Sequence, residues 1–423
     1  MEKRDEMYKS VSFSSLGVHD SSGTSDWRKN IDVPVLSQVG GRKGVITLKK
    51  KPIIAALFTI VCLVLFYNLV SDTKEEVQSP FLRSGLVNNK VHQFAQNRKL
   101  MSYNRTYPLT KPVRTGADSH YRIGLITDMD TESKASGKSN SWHSLLKYAT
   151  LSFNNKTLSI SIKWNGGDQD ATQLVSGYAN GGRGMELSEL AVFNAKVYSV
   201  DDRTGIIYQI LTNKVAPWVI LSDGDGKQTK GFKGEWMAIK DEKLFVGGLG
   251  KEWTTATGEV LHNNPQWIKT VDKDGSVSHF NWVPNYKAMQ KVAGCESPGY
   301  IIHESAVWSD VHKSWFFLPR RASHEKYDED LDEYRATNLL FKCSEDFSDI
   351  KLIRVGKLES LTRGFSSFKF IPGTQDRIIL ALKTEEVKGK TKSFITAFTV
   401  DGEVLLPDQV VSNNYKYEGV EFL

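Results

Sequence analysis

The sequence predicts an all-β main domain, folded as a five-bladed β-propeller. From residue 121 onward, short runs rich in β-branched and aromatic residues, such as LSISIKW, KLFVGG and RIILALK, alternate with turn sequences such as DDRTG, SDGDG and PGTQD. Helical periodicity is confined to residues 285–294. The number of blades follows from a five-fold repeat and from a last strand that lacks partners.

Five units along the domain share a pattern in which a small or acidic polar residue precedes an apolar run. In the first four units, a turn and a second strand follow. The five polar positions are Ser188, Glu235, Glu304, Ser366 and Glu418. Their spacings of 47, 69, 62 and 52 residues are too irregular for WD40 repeats but suit a propeller with unequal loops.

The fifth unit, YEGVEFL, contains a single strand. The first strand of the domain, YRIGLITDMD, has no inner strand of its own. Pairing the two would close the ring and remove two exposed sheet edges. We therefore expect the C-terminal strand to complete the blade with which the domain begins.

The N-terminal region predicts a membrane anchor. Residues 1–51 are rich in Ser, Gly and charge, with ten Lys and Arg against six Asp and Glu, and are expected to be a disordered tail. Residues 52–70 are nineteen uncharged, mainly apolar residues. At about 1.5 Å per residue they span roughly 28 Å, which is close to the thickness of a bilayer core. They predict a transmembrane signal anchor.

Charge on either side of this segment predicts the topology. Lys49, Lys50 and Lys51 precede the apolar segment, whereas acidic residues follow it. The positive-inside rule then places the tail in the cytoplasm and the C-terminal bulk in a lumen, a type II arrangement. Residues 71–117 are polar and predict a lumenal stalk, followed by the propeller domain at 118–423.

Sequons and cysteines are compatible with a lumenal domain. Asn104 and Asn155 lie in NRT and NKT sequons and are candidate glycosylation sites. Outside the predicted anchor the chain has two cysteines, Cys295 and Cys343. They could form one disulfide or remain two free thiols, and the sequence does not decide between these alternatives. Residues 71–423 hold 45 basic against 43 acidic residues, which excludes a nucleic-acid-binding surface of the usual basic kind.

The five polar repeat positions predict a cation site. In a propeller, equivalent residues of the inner strands converge on the central channel, where three carboxylates and two hydroxyls need neutralising. Calcium accepts six to eight oxygen ligands in loose geometry, whereas zinc would require His or Cys. An EF-hand in SDGDGK is excluded, because its loop needs Gly at position six and Glu at position twelve. Counting from Asp223, these positions hold Gln228 and Gly234.

The motifs GRGMELSEL, KGEWMAIKDEKLFVGGLGKEWTT, GYIIHESAVWSD, WFFLPRRAS, GFSSFKFIPGT and KYEGVEF resemble the calcium-activated nucleotidase (apyrase) family. The resemblance runs from about residue 121 to 423, and the anchor is similar to that of vertebrate members rather than secreted salivary ones. It implies a five-bladed propeller with one central Ca²⁺. It also implies hydrolysis of nucleoside di- and triphosphates, with UDP and GDP favoured, and a calcium-dependent homodimer.

The resemblance also assigns residues. Calcium would be held by Ser188, Glu189, Glu235, Glu304, Ser366 and Glu418. The family has Asp at the position of Glu189, a difference of little consequence if only its backbone takes part. The channel-side loops supply acids to orient water (Asp128, Asp130, Asp202) and groups to bind nucleotide (Arg203, Lys251, Trp253, Arg320, Arg321). Trp236 is the alternative to Trp253 for stacking on the base.

Two functions from different classes fit the sequence. The first is a calcium-dependent nucleoside diphosphatase of the endoplasmic reticulum or Golgi membrane, which would remove UDP left by glycosyltransferases and so support glycosylation and proteoglycan synthesis; a cleaved, secreted form stays open. The second is a non-catalytic lumenal propeller with structural calcium. Only the first needs acids and arginines together at one channel mouth. On the residues alone, DDRTG is also typical of a hairpin turn, and the Arg pair of a solvated strand edge.

Overall fold

The computed structural model of the chain describes residues 32–36, 45–49 and 102–423 except 138. The chain divides into two compact units, Met1–Asn97 and Arg98–Leu423. In the first unit, β1 (Asp32–Leu36) pairs antiparallel with β2 (Val45–Lys49). The predicted anchor at 52–70 and most of the predicted tail and stalk lie outside the described residues. Within the described residues, no helix is long and apolar enough to cross a membrane.

The described residues of the second unit form five antiparallel sheets of four or more strands and one two-stranded hairpin. The first contains β3 (Val113–Thr115), β4 (Asp118–Asp128), β5 (Trp142–Asn154), β6 (Ile160–Trp164) and β7 (Thr172–Ser176). The second contains β8 (Leu187–Phe193), β9 (Lys196–Asp201), β10 (Ile206–Ile210) and β11 (Val215–Ile220). The third contains β12 (Trp236–Lys240), β13 (Lys243–Gly247), β16 (Trp267–Val271) and β17 (Val277–Asn281), with the hairpin β14 (Trp253–Thr254) and β15 (Val260–His262) inserted.

The remaining sheets repeat this order. The fourth contains β18 (Tyr300–Ser309), β19 (Ser314–Ser323), β20 (Leu339–Ser344) and β21 (Ile350–Arg354), and the fifth contains β22 (Arg363–Phe370), β23 (Ile378–Val387), β24 (Lys390–Thr399) and β25 (Val404–Ser412). The last strand is β26 (Lys416–Phe422). Helix α1 (Val283–Ala293) coincides with the one predicted helical segment, and α2 (Glu329–Asp332) is a single turn. The described residues also form three short 3₁₀ helices, Asp130–Ser133, Asp168–Asp170 and Asn264–Gln266.

The C-terminal strand closes the ring, as the sequence predicts. Strand β26 pairs antiparallel with β4, with Val420 opposite Leu125, and so becomes the inner strand of the first blade. The inner strands β26, β8, β12, β18 and β22 contact one another in that order and back to β26. This circle of contacts confirms the five-bladed all-β propeller.

Apolar residues between neighbouring blades form the core. Trp236, Trp315 and Phe317, from the third and fourth blades, lie with ring centroids 5.9–6.3 Å apart. Cys295 and Cys343 are both buried and both free, which decides between the two alternatives for these thiols. The blades are therefore held together by packing and by strand pairing.

Residues ahead of the predicted boundary at 118 also pack on the propeller. The Tyr103 ring lies 5.4 Å from that of Phe193, and the Tyr107 hydroxyl donates a hydrogen bond of 2.9 Å to Glu421. The described part of the predicted stalk thus belongs to the compact second unit. Asn104 and Asn155 are both exposed, and their glycosylation remains a prediction.

Deleting residues 415–423 should prevent folding, because it removes the inner strand of the first blade and leaves β4 as an open edge. The deletion also removes buried Tyr417, Val420 and Phe422 from the core. Circular dichroism and thermal unfolding of the purified protein would check this expectation. A soluble variant that still unfolds cooperatively would show that the ring does not depend on this strand.

Candidate active site

A repeated irregularity of the inner strands positions the five predicted channel residues. The strand register shifts between Leu187 and Glu189, His303 and Ala306, Phe365 and Ser367, and Tyr417 and Gly419. These shifts enclose Ser188, Glu304, Ser366 and Glu418. In the third blade, Glu235 directly precedes β12, and its N–H donates to the Gly247 carbonyl at 2.8 Å. Bulges re-aim side chains, so the sequence repeat corresponds to a structural repeat.

The donor chemistry of these residues fits a hard cation. All five are buried, and the five side chains offer only oxygen donors. The Ser188 hydroxyl oxygen is buried without a hydrogen-bond partner, which is costly for a polar atom unless a ligand satisfies it. The hydroxyl of Ser366 makes one long hydrogen bond, of 3.4 Å, to the Tyr417 carbonyl.

The side chain of Glu189 points to a different group of residues. Its carboxylate accepts from Ser367 at 2.8 Å and lies 3.2 Å from the Lys369 ammonium. The structure therefore leaves only backbone atoms of Glu189 as candidate ligands. This agrees with the expectation that Glu in place of Asp has little consequence there.

Three cations neutralise part of the charge of the channel acids Glu235, Glu304 and Glu418, and one of them is Lys416, 3.5 Å from Glu418. The Arg320 guanidinium lies 2.8 Å from Glu304 and 3.2 Å from Glu418. Lys233 lies 2.9 Å from Glu235. Burial, opposed only in part by Lys233, raises the pKa of Glu235 to about 8, and burial likewise raises the pKa of Glu418 well above its usual range. The site therefore retains an unmet demand for positive charge.

The predicted acids Asp128, Asp130 and Asp202 line the same cleft as the channel acids, at the end where the inner strands begin. The cleft has a volume of about 480 Å³. Lys416 binds Asp128 at 2.7 Å and Asp130 at 2.8 Å, whereas Lys233 pairs with Asp202. Burial raises the pKa of Asp128 to about 6. Burial also acts on Asp130, but Lys416, Lys233 and Arg183 outweigh it and lower the pKa of Asp130.

Four of the five predicted nucleotide-binding residues line this cleft: Lys251, Trp253, Arg320 and Arg321. Burial lowers the pKa of Lys251 to about 8 and, with neighbouring Arg320, that of Arg321 to about 10. Arg203 is not among the lining residues, and its Nε donates to the Asn180 carbonyl at 3.2 Å. Trp236, the alternative to Trp253 for stacking on the base, is fully buried in the core, so its ring is not available to a ligand in the cleft.

Sequence reasoning missed two lysines, two glutamates and Arg183, which lies 3.0 Å from Asp130. Lys233 and Lys416 each stand two residues before a channel acid, in KGE and KYE, and residues two apart share a strand face. That spacing was a usable signal. Glu386 reaches the site from the β23–β24 hairpin, 3.1 Å from Arg320, and Glu186 from the residue before β8. Neither glutamate lies in a repeat position, although Glu186 is part of the GRGMELSEL motif.

A propeller channel that combines oxygen donors for a cation with buried guanidinium and ammonium groups defines a protein suited to anionic, phosphate-bearing ligands. The Apyrase family model matches residues 129–423. The chain is 52% identical over 346 residues to soluble calcium-activated nucleotidase 1 of Rattus norvegicus, covering 82% of this chain and 84% of that protein. It is 47% identical to apyrase apy-1 of Caenorhabditis elegans, over 71% and 84% of the two chains, and 42% identical to an apyrase of Cimex lectularius, over 76% and 87%. The chain belongs to the apyrase family and is a nucleotide-hydrolysing enzyme.

Proposed function

We propose that the chain is a calcium-dependent enzyme of the secretory pathway that hydrolyses nucleoside diphosphates, chiefly UDP and GDP, and also triphosphates. The products are a nucleotide and inorganic phosphate. The observation that carries this proposal is the single cleft in which Glu235, Glu304 and Glu418 lie beside Arg320 and Asp128. The calcium named in the rat relative supports the choice of cation.

The residues of the cleft divide into two tasks. Arg320, Arg321 and Lys251 bind phosphate oxygens, because guanidinium and ammonium groups donate charge-assisted hydrogen bonds. Asp128 and Asp130 orient the attacking water, and one of the two carboxylates accepts its proton. The water oxygen bonds to the terminal phosphorus while the phosphoanhydride bond breaks and the nucleotide leaves. Calcium, bound by the channel oxygens, would neutralise the charge of the phosphates.

Phosphate release from UDP by the purified full-length chain, with calcium or with EGTA, tests the proposal. We expect release with calcium and a loss of release with EGTA. A matched Glu304→Gln preparation controls for contaminating phosphatase. Calcium binding without any phosphate release would instead support the non-catalytic binding module.

Trp253→Ala should weaken nucleotide binding. Trp253 is half-buried at the cleft, with its ring stacked 6.3 Å from His262 and the Lys230 ammonium 4.4 Å from its centroid. Base–aromatic stacking is worth about 1–3 kcal/mol, so KM for UDP should rise about 5- to 150-fold with a smaller change in kcat. Steady-state kinetics would measure this. Phe280→Ala, at an exposed aromatic outside the cleft, is the matched control, and an equal KM for both variants would reject the stacking role.

We propose further that the chain is a type II protein of the endoplasmic reticulum or Golgi membrane and acts as a calcium-dependent homodimer. The apolar segment at 52–70 supports the anchor, and exposure of Asn104 and Asn155 suits glycosylation in a lumen. In sealed microsomes, protease should remove the tail and spare the glycosylated domain. Protection of the tail instead would reverse the topology. Sedimentation with calcium or EGTA would test the dimer.

A further inference from the structure

A second group of carboxylates lies beside the channel residues. Asp128 ends β4, Asp130 begins the following 3₁₀ helix, and Glu186 directly precedes β8. One oxygen from each of the three carboxylates lies within 4.8 Å of the others. None of these three residues belongs to the channel set of the inner-strand repeat. We refer to these three acids and Asp202 together as the acidic cluster.

The fourth member of the acidic cluster, Asp202, provides an indication of a ligand that does not depend on the grouping of the other three acids. Its side chain is 6% exposed, and it lines the cleft together with Asp128 and Asp130. One carboxylate oxygen pairs with Lys233, but Oδ1 is buried and has no hydrogen-bond partner. Its backbone N–H donates to the Glu186 carbonyl at 3.0 Å, so Asp202 is adjacent to one acid of the group. A buried carboxylate oxygen without a donor is an available cation ligand.

With every carboxylate ionised, the ion pairs of the cluster and of the channel leave more negative charge than one divalent cation neutralises. Eight carboxylates belong to the cluster and to the channel ion pairs: Asp128, Asp130, Glu186, Asp202, Glu235, Glu304, Glu386 and Glu418. Their ion-pair partners are Arg183, Lys233, Arg320 and Lys416. Four negative charges therefore remain. One divalent ion leaves two of them, to which nucleotide phosphates would add repulsion, whereas two divalent ions neutralise all four.

We propose that Asp128, Asp130, Glu186 and Asp202 form a second site for a hard divalent cation, separate from the channel site. The oxygen-only donor set selects calcium or magnesium over softer metals. Arg183 and Lys416 hold the cluster together in the structure, Arg183 at 3.0 Å from Asp130. With a cation bound, both become available as donors to phosphate. The site deepens the proposed function, and only its role toward substrate rests on that function: it would receive the cation that accompanies a nucleotide.

Calcium binding to the full-length chain, measured by equilibrium dialysis without nucleotide, tests the second site. The wild type should bind two ions, and Glu186→Gln and Asp130→Asn should each bind one. Asp130 is the safer position, because its side chain is 40% exposed and its replacement disturbs folding less. Glu359→Gln, at an exposed acid outside the cleft, is the matched control and should bind two. Competition by magnesium measures the selectivity of the site that binds calcium more weakly.

The same measurement separates this inference from the proposed function. Glu304→Gln should weaken the ion that Asp130→Asn retains, because the two variants affect different sites. A wild type that binds one ion, lost in Glu304→Gln and kept in Asp130→Asn, would overturn the second site and leave the proposed function standing. Two ions in both Asp130→Asn and Glu186→Gln would also overturn it. Absence of any calcium binding would count against both.

Discussion

Arg320→Ala should lower the rate of UDP hydrolysis about 10- to 150-fold, because a charge-assisted contact to phosphate is worth roughly 1.5–3 kcal/mol in the transition state. Arg320 is buried in the cleft, and its Nη2 meets Glu386, a half-exposed carboxylate, at 3.1 Å. A phosphate oxygen would replace that carboxylate. Added calcium should not restore the rate, since the missing group is a phosphate ligand. Steady-state hydrolysis across a calcium titration would measure this.

Calcium should restore the stability of Arg320→Ala, although it does not restore the rate of hydrolysis. Without Arg320, Glu304 and Glu418 lose their shared counter-ion, and breaking a buried pair costs about 3–5 kcal/mol. Calcium can take over as counter-ion. The denaturant midpoint in EGTA should therefore fall and then recover with calcium, while the rate stays low. Arg105→Ala, at an exposed ion pair, is the matched control and should change neither quantity.

Glu235→Gln provides the complementary comparison. It removes one acid from the channel set while Glu304 and Glu418 remain, so its defect is one of calcium occupancy. Activity should recover at least partly at higher calcium. If calcium restores the rate of Arg320→Ala but not that of Glu235→Gln, the division of roles between cation and phosphate ligands is wrong.

The fold was predictable because its determinants are local and repeated. Alternating strands, turn sequences and the five polar positions each lie within one blade, and the unpaired final strand left β4 as its natural partner. The register shifts that aim Glu304 and Glu418 into the channel were not predictable. A bulge depends on how one strand pairs with another, and the sequence of a single strand does not encode it.

The site was predictable to the extent that its residues occupy a repeat position or have a role that the family resemblance assigns. Glu386 pairs with Arg320 across 66 residues and Lys416 with Asp130 across 286, so only the closed ring brings them together. Arg203 shows the converse. It follows Asp202 directly in the sequence, but it lies outside the residues that line the cleft. Adjacency in a turn does not ensure a common direction for two side chains.

One of the two lysines that sequence reasoning missed, Lys416, allows a second test with a large effect. Lys416 is buried, and its ammonium lies 2.7 Å from Asp128, 2.8 Å from Asp130 and 3.5 Å from Glu418. Lys416→Met keeps the apolar stem and removes the charge. In EGTA, the free energy of unfolding should fall by about 3–5 kcal/mol, because these buried carboxylates then repel one another without a shared cation.

Calcium affinity of Lys416→Met should change in the opposite direction, because the ammonium competes with the metal for the same oxygens. A relief of about 1.4 kcal/mol corresponds to about tenfold tighter calcium binding, which isothermal titration would detect. Lys357→Met, at an exposed lysine, is the matched control and should stay within about 0.5 kcal/mol of wild type in stability. Weaker calcium binding by Lys416→Met would mean that the lysine organises the acids for the metal, and it would reject the view that the ammonium and the metal compete for one set of carboxylates.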